Sequence, residues 1–144
     1  MKKAALLLLI LGVQSICAQE SEVKKSIQTF FEALQTRDTT KMQSVCYKHL
    51  ILESIEEHRG QGRLDFEAAS EFYRQIARIP EDKAIEERLL SYKIQIDGTL
   101  AHVWAPYEFY IDGKLSHSGV NSFQLFYDEG IWKIVYIIDT RRKK

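Results

Sequence analysis

The sequence predicts an α+β fold, with N-terminal helices packed on a curved, mostly antiparallel β-sheet that forms a cone. Three observations predict it. Apolar residues recur at helical spacing through the first half of the 144-residue chain. From Ala84 onward the pattern becomes that of strands joined by tight turns at Asp97-Gly98, Asp112-Gly113 and Glu129-Gly130. Finally, both faces of those strands are rich in apolar residues, whereas a sheet with one solvated face would alternate cleanly.

The chain opens "MKKAALLLLILGVQSICAQE". Lys2 and Lys3 precede an apolar run from Ala4 to Val13, and small residues follow up to Ala18. That is the layout of a secretory signal peptide, residues 1–18, with cleavage expected after Ala18. A transmembrane span needs about 20 apolar residues, so this run is too short. The domain, residues 19–144, is therefore expected to be exported to the periplasm or secreted. Lipid attachment at Cys17 is the weaker alternative, because Gln14 and Ile16 stand where such a signal carries Leu and a small residue.

Cleavage would remove Lys2 and Lys3, leaving 18 basic against 20 acidic side chains. Such a balance creates no field that would gather nucleic acid. Cys46 would then be the single cysteine, so no internal disulfide is expected and a hydrophobic core must hold the fold. Its place in an apolar-periodic segment predicts a buried small hydrophobe rather than a reactive thiol.

Val23, Ile27, Phe30, Phe31 and Leu34 share one helix face, with Ser21 able to cap its start. Asp38 or Thr39 can cap a second, shorter helix that turns Met42, Val45 and Cys46 inward. "LILESIEEHRGQGRLDF" reads as a strand, a turn at Gly60–Gly62 and a short return. A third helix from about Glu67 to Arg78, with Ala68, Phe72, Ile76 and Ile79 inward, ends at Pro80. Four antiparallel strands follow at about 84–96, 99–111, 114–128 and 131–140.

If every turn is a two-residue loop, Trp104 lies opposite Asn121 and Asn121 opposite Ile138, while Phe123 pairs with His102 and Tyr136. One face then carries Trp104, Glu108, His117, Asn121, Phe123 and Tyr136. Pro106 marks a place where a bulge would reset the alternation. The helices can cover only one face, so a second copy of the sheet is expected to cover the other, as a homodimer.

The stretch "IQIDGTLAHVWAPYEFYIDGKLSHSGVNSFQLFYDEGIWKIVYIIDT" resembles the C-terminal half of nuclear transport factor 2-like domains, with Gly98, Ala101 and Val103 in one strand pair and Gly130, Trp132 and Ile134 in the last strand. The likeness is to the small exported bacterial members. It implies a cone whose concave sheet face and helices enclose a pocket. That superfamily includes isomerases, cyclases and dehydratases as well as binding and dimerisation modules, so fold does not choose the function. The resemblance also implies that the face bearing Trp104 is concave. In the isomerase-like members, the second-to-last strand supplies an acidic residue, and its counterpart here is Asn121. An amide donates a hydrogen bond but does not carry a proton in and out, which speaks against isomerase chemistry.

Trp104, Asn121, Phe123 and Tyr136 are thus the candidate ligand-binding residues, apolar walls with a few polar groups. Glu108 and His117 are the weaker catalytic candidates, a carboxylate and an imidazole placed across two strands. Histidine spacing offers no metal site, no phosphate loop is present, and no cofactor is expected. The terminal "RRKK" reads as a solvated tail. The expected function is binding of a small, largely apolar molecule or a partner in the cone, without catalysis. The alternatives are a lyase or isomerase using acid–base chemistry there, and an interaction module whose pocket is filled by Trp104 and Phe123.

Overall fold

The computed structural model describes residues 2–143, with side chains from Cys17 onward. Helix α1 (Lys2–Thr36) runs unbroken through the apolar leader and the first amphipathic segment, so Ser21 lies within a helix rather than at its cap. Val23 and Ile27 are fully buried, and Phe30, Phe31 and Leu34 nearly so, as the periodicity predicts. Among the described residues, no helix is long and apolar enough to cross a membrane.

Arg37 leaves the helix at φ 59°. Asp38 then caps α2 (Thr39–Ser44), its Oδ1 accepting the Lys41 amide at 2.8 Å. Met42, Val45 and Cys46 are buried as expected. Burial pushes the Cys46 thiol up to about 11, against a hydrogen bond from Tyr73 that lowers it, which disfavours the thiolate.

The sheet comprises β1 (Cys46–His58), β2 (Gln61–Ala68), β3 (Ile85–Leu89), β4 (Lys93–Asp97), β5 (Leu100–Ile111), β6 (Lys114–Asp128) and β7 (Ile131–Arg142). Its order is β2-β1-β7-β6-β5-β3, with β4 also on β5 beyond the end of β3. The β1·β7 pair is parallel and the others antiparallel. The third helix, α3 (Ala69–Ala77), is shorter than the sequence predicts, because Glu67 and Ala68 pair with Leu52 and Ile51 and so belong to β2. The helices cover one face and leave the other exposed.

Two of the expected turns hold. Asp112-Gly113 has φ of 49° and 73°, and Glu129-Gly130 has 47° and 86°, the doubly positive geometry of a type I′ turn. At the first hairpin the loop is Gly98-Thr99, since Asp97 stays in the ladder opposite Leu100. The strand expected over 84–96 breaks into β3 and β4, and Pro106 explains why. The Pro106 carbonyl accepts the Leu90 amide at 2.8 Å, so its backbone faces β3 and β4. Proline has no N–H to offer there, and the incoming chain leaves the ladder between Leu89 and Lys93.

Pro106 does not reset the alternation of β5: it pairs in register with Val120. The register shifts lie elsewhere. Ser116 is an extra residue in β6, between the pairs Tyr110–Leu115 and Phe109–His117. Val135 is an extra residue in β7, between Leu125–Ile134 and Gln124–Tyr136. Trp104 therefore faces Ser122, and Phe123 faces Val103 and Ile137, while Asn121 faces Ala105 and Asp139. The inner, helix-covered face carries Ala101, Val103, Ala105, Tyr107, Asn121 and Phe123, all buried.

Candidate functional site

Between the helices and the inner face lies a cavity of about 310 Å³. This sits at the small end of ligand pockets, which run from roughly 300 to 1,000 Å³. Its helical wall is mostly apolar: Phe30, Phe31 and Leu34 from α1, Phe72 and Ile76 beside Gln75 from α3, and Ile79 just beyond it. Phe30 and Phe72 stack in parallel with centroids 6.1 Å apart. The sheet wall supplies the polar groups, which fall into two clusters.

The first cluster joins Glu87 on β3 to Asn121 on β6. Asn121 Nδ2 donates to Glu87 Oε1 at 2.6 Å. Glu87 is partly buried and lines the cavity. Burial pushes its carboxyl up to about 8, the neighbouring Asp139 adds to the rise, and the Asn121 hydrogen bond and Arg141 oppose it. Near neutral pH this environment favours the protonated carboxyl over the anion.

The second cluster centres on Asp139 near the end of β7. The Ser54 hydroxyl donates to Asp139 Oδ1 at 2.5 Å, and the Tyr107 hydroxyl lies 2.9 Å from Oδ2. Arg141 approaches the same carboxylate with Nε 2.9 Å from Oδ2 and Nη2 3.4 Å from Oδ1. Both oxygens are thus engaged by donors, which fixes the orientation of the carboxylate and leaves it few lone pairs for a ligand. The Tyr107 hydroxyl also lies 3.0 Å from the Thr140 carbonyl, and burial drives it far above the usual phenol range. Gly119 permits that inward carbonyl, because a Cβ there would sit 1.7 Å from the Thr140 oxygen and 3.0 Å from the Tyr107 ring.

His117 closes the sheet wall. Its imidazole stacks on Phe109 with centroids 4.9 Å apart and meets Tyr107 edge-on. Burial lowers its pKa, Arg141 lowers it further, and Asp139 opposes both, so the ring is neutral. Glu87, Phe109 and His117 form one cross-strand row on the inner face.

The structure separates the residues that the sequence groups together. Asn121 lines the cavity, and Phe123 is inner but fully buried, packed edge-on against Phe31 in the core. Trp104 lies on the outer face and is 45% exposed. Tyr136 is also outer, its hydroxyl donating to Glu53. The bulges at Ser116 and Val135 cause this division, because one extra residue turns the remainder of a strand over relative to simple hairpin counting. Glu108 and His117 part for the same reason: Glu108 is outer and accepts the Tyr110 hydroxyl at 2.6 Å. Arg141 is not part of a solvated tail, since β7 extends through Arg142, which pairs with Glu57. Glu87, Tyr107, Asp139 and Arg141 escape the sequence reading. A lone Asp closing the apolar run "IWKIVYIID" was the available signal for one of them.

No protein-family model and no curated protein matches the chain. Solved structures do. An NTF2-like protein of unknown function from Shewanella baltica superposes with a TM-score of 0.64 at 16% identity, over 89% of this chain and 97% of its own. A cystatin-like fold protein from Nostoc punctiforme gives 0.66 at 12% identity, over 85% and 90%. A candidate dehydratase of the NTF2-like family from Streptomyces avermitilis gives 0.65 at 16% identity, over 86% and 96%. The fold is therefore the nuclear transport factor 2-like, cystatin-like α+β cone, with a cavity of ligand-binding size between its helices and sheet.

Proposed function

We propose that the chain is an exported, dimeric domain whose cone binds a small, largely apolar molecule without transforming it. The observation that carries this reading is the cavity itself, an aromatic and aliphatic helical wall facing a floor where Glu87–Asn121 presents a polar anchor. An open cavity counts against a cone filled by its own side chains. The hydrogen bonds that Asp139 already accepts leave it little room to take a proton from a ligand. Binding is tested with N-phenyl-1-naphthylamine, an apolar fluorophore. Saturable, one-to-one enhancement that Ile76→Trp abolishes is expected, and no saturable enhancement with the folded wild type would overturn the reading.

A lyase or isomerase is the second reading, favoured by one observation: Glu87 and His117 line one cavity on a single row, Phe109 between them, with burial raising the carboxyl pKa and lowering that of the imidazole. Such a pair can serve as acid and base. Turnover of an enolisable or dehydratable substrate that falls by about a hundredfold or more in both Glu87→Gln and His117→Ala would establish it.

Export rests on the leader sequence, and intact mass of the mature protein beginning at Gln19 is the expected result. Dimerisation rests on the outer face, where one cross-strand row runs Trp104, Ser122, Ile138, Glu53 and Phe66. Trp104 is 45% and Phe66 69% exposed. A second sheet would cover this row.

A further inference from the structure

The cavity lining holds more carboxyl groups than cations. Arg141 is the one Lys or Arg among the described lining residues, and its guanidinium is committed to Asp139. His117 is neutral. Glu87 has only the Asn121 amide, a donor without charge, on one of its oxygens. Glu53 and Glu67 add two further carboxyl groups to the lining. A carboxyl in such surroundings ionises more readily when a counter-ion joins it, because a lone anion there is poorly solvated.

The surroundings suit a cation. Phe109 stands directly across the ladder from Glu87, a spacing of about 5 Å between Cβ atoms. Phe30, Phe31, Phe72 and Tyr107 supply further rings to the same cavity. Aromatic faces attract ammonium groups, and more strongly where water is excluded. An anionic ligand would meet Glu87, Glu67 and Asp139 with no free cation to receive it.

We propose that the cone selects a small hydrophobic amine, whose ammonium group pairs with Glu87 while its apolar body lies against the phenylalanines of α1 and α3. This rests on the cavity-binding reading above and specifies the polar group that reading leaves open. Binding would release the proton that Glu87 carries in the empty protein.

The test compares three probes of matched size by isothermal titration at pH 7.5: 2-phenylethylamine, 2-phenylethanol and phenylacetate. The amine is expected to bind at least about tenfold more tightly than the alcohol, and phenylacetate to bind most weakly. Titrating the amine in buffers of different ionisation enthalpy is expected to show proton release. In Glu87→Gln, which keeps the shape and an Asn121 contact, the amine's advantage is expected to shrink to within about twofold while alcohol binding persists. Equal binding of alcohol and amine, or an amine preference that survives Glu87→Gln, would overturn the proposal and leave cavity binding intact. Absence of binding by all three probes, together with no N-phenyl-1-naphthylamine binding, would overturn both.

Discussion

The Asn121 side-chain amide meets the Glu87 carboxyl at 2.6 Å although their strands, β6 and β3, are not neighbours. β5 runs between them, and the bond spans it on the inner face, fastening the short β3 to the centre of the sheet. It holds a carboxyl whose pKa burial raises from 4.5 to about 8.

That shift fixes a pH dependence. Below pH 4.5 the carboxyl is protonated in both folded and unfolded chains and contributes no difference. Between 4.5 and 8 the unfolded chain releases the proton and the folded one retains it, so stability falls as pH rises, and the loss is complete above 8. The full difference is on the order of 5 kcal/mol. The groups that face Glu87, namely Asn121, Asp139, Arg141, Tyr107 and His117, remain in Glu87→Gln. This variant is expected to match wild type at pH 4 and to melt several degrees higher at pH 8. Equal melting temperatures at pH 8 would show that Glu87 does not titrate in this way.

Gly119 is the tightest backbone contact in the site. In Gly119→Ala the new Cβ meets backbone, the Thr140 carbonyl, rather than a flexible side chain. The strands must part there, and the expected cost is about 3 kcal/mol, at the upper end of overpacking penalties. Urea unfolding measures it. A loss under about 0.5 kcal/mol would mean that β7 yields freely at Thr140.

Removing Asp139 is expected to cost more than removing any one of its donors. Tyr107→Phe leaves Ser54 and Arg141 on the carboxylate and is expected to cost about 1 kcal/mol. Asp139→Ala strands the Tyr107 and Ser54 hydroxyls and the partly exposed Arg141, and about 3 kcal/mol is expected. The ordering of the two chemical-denaturation midpoints is the measurement. A reversed order would contradict the central position of Asp139.

On the outer face, Trp104→Glu places a charge in the middle of the row proposed to meet a second sheet. Multi-angle light scattering at micromolar concentration is expected to give a dimer mass for wild type and a monomer mass for the variant, with circular dichroism unchanged because Trp104 is half exposed in the single chain. A dimer that survives the substitution would place the interface elsewhere.

The helices were legible because burial on one stripe leaves a 3.6-residue signature, and Val23 to Leu34 and Met42 to Cys46 are buried as their spacing predicts. The last two hairpins were legible because a glycine second in each pair, Gly113 and Gly130, takes the positive φ such a turn needs. The division of the sheet into two faces was not. Ser116 and Val135 leave no compositional mark as bulge residues, and both faces contain enough apolar residues that neither parity is self-evidently inward. Glu87 was hidden in "IEERLL", where alternation with Glu86 and Arg88 reads as solvated charge. Those two do pair with each other on the outer side, 2.7 Å apart. Asn121 was found by its place in the hairpin, and its carboxyl partner came from a strand that no sequence spacing connects to it.

The bulges also give the two long hairpins spare length. A chain lacking Ser116 or Val135 would simply run straight through that point, with Tyr107, Asn121 and Asp139 still turned toward the helices. Removing a residue from an unbulged stretch of β5 would instead exchange wall for exterior. Single-residue length differences among chains of this architecture are therefore expected to fall at Ser116 in β6 and Val135 in β7, and at the irregular start of β1 between Cys46 and Ile51, where the sheet has slack to absorb them.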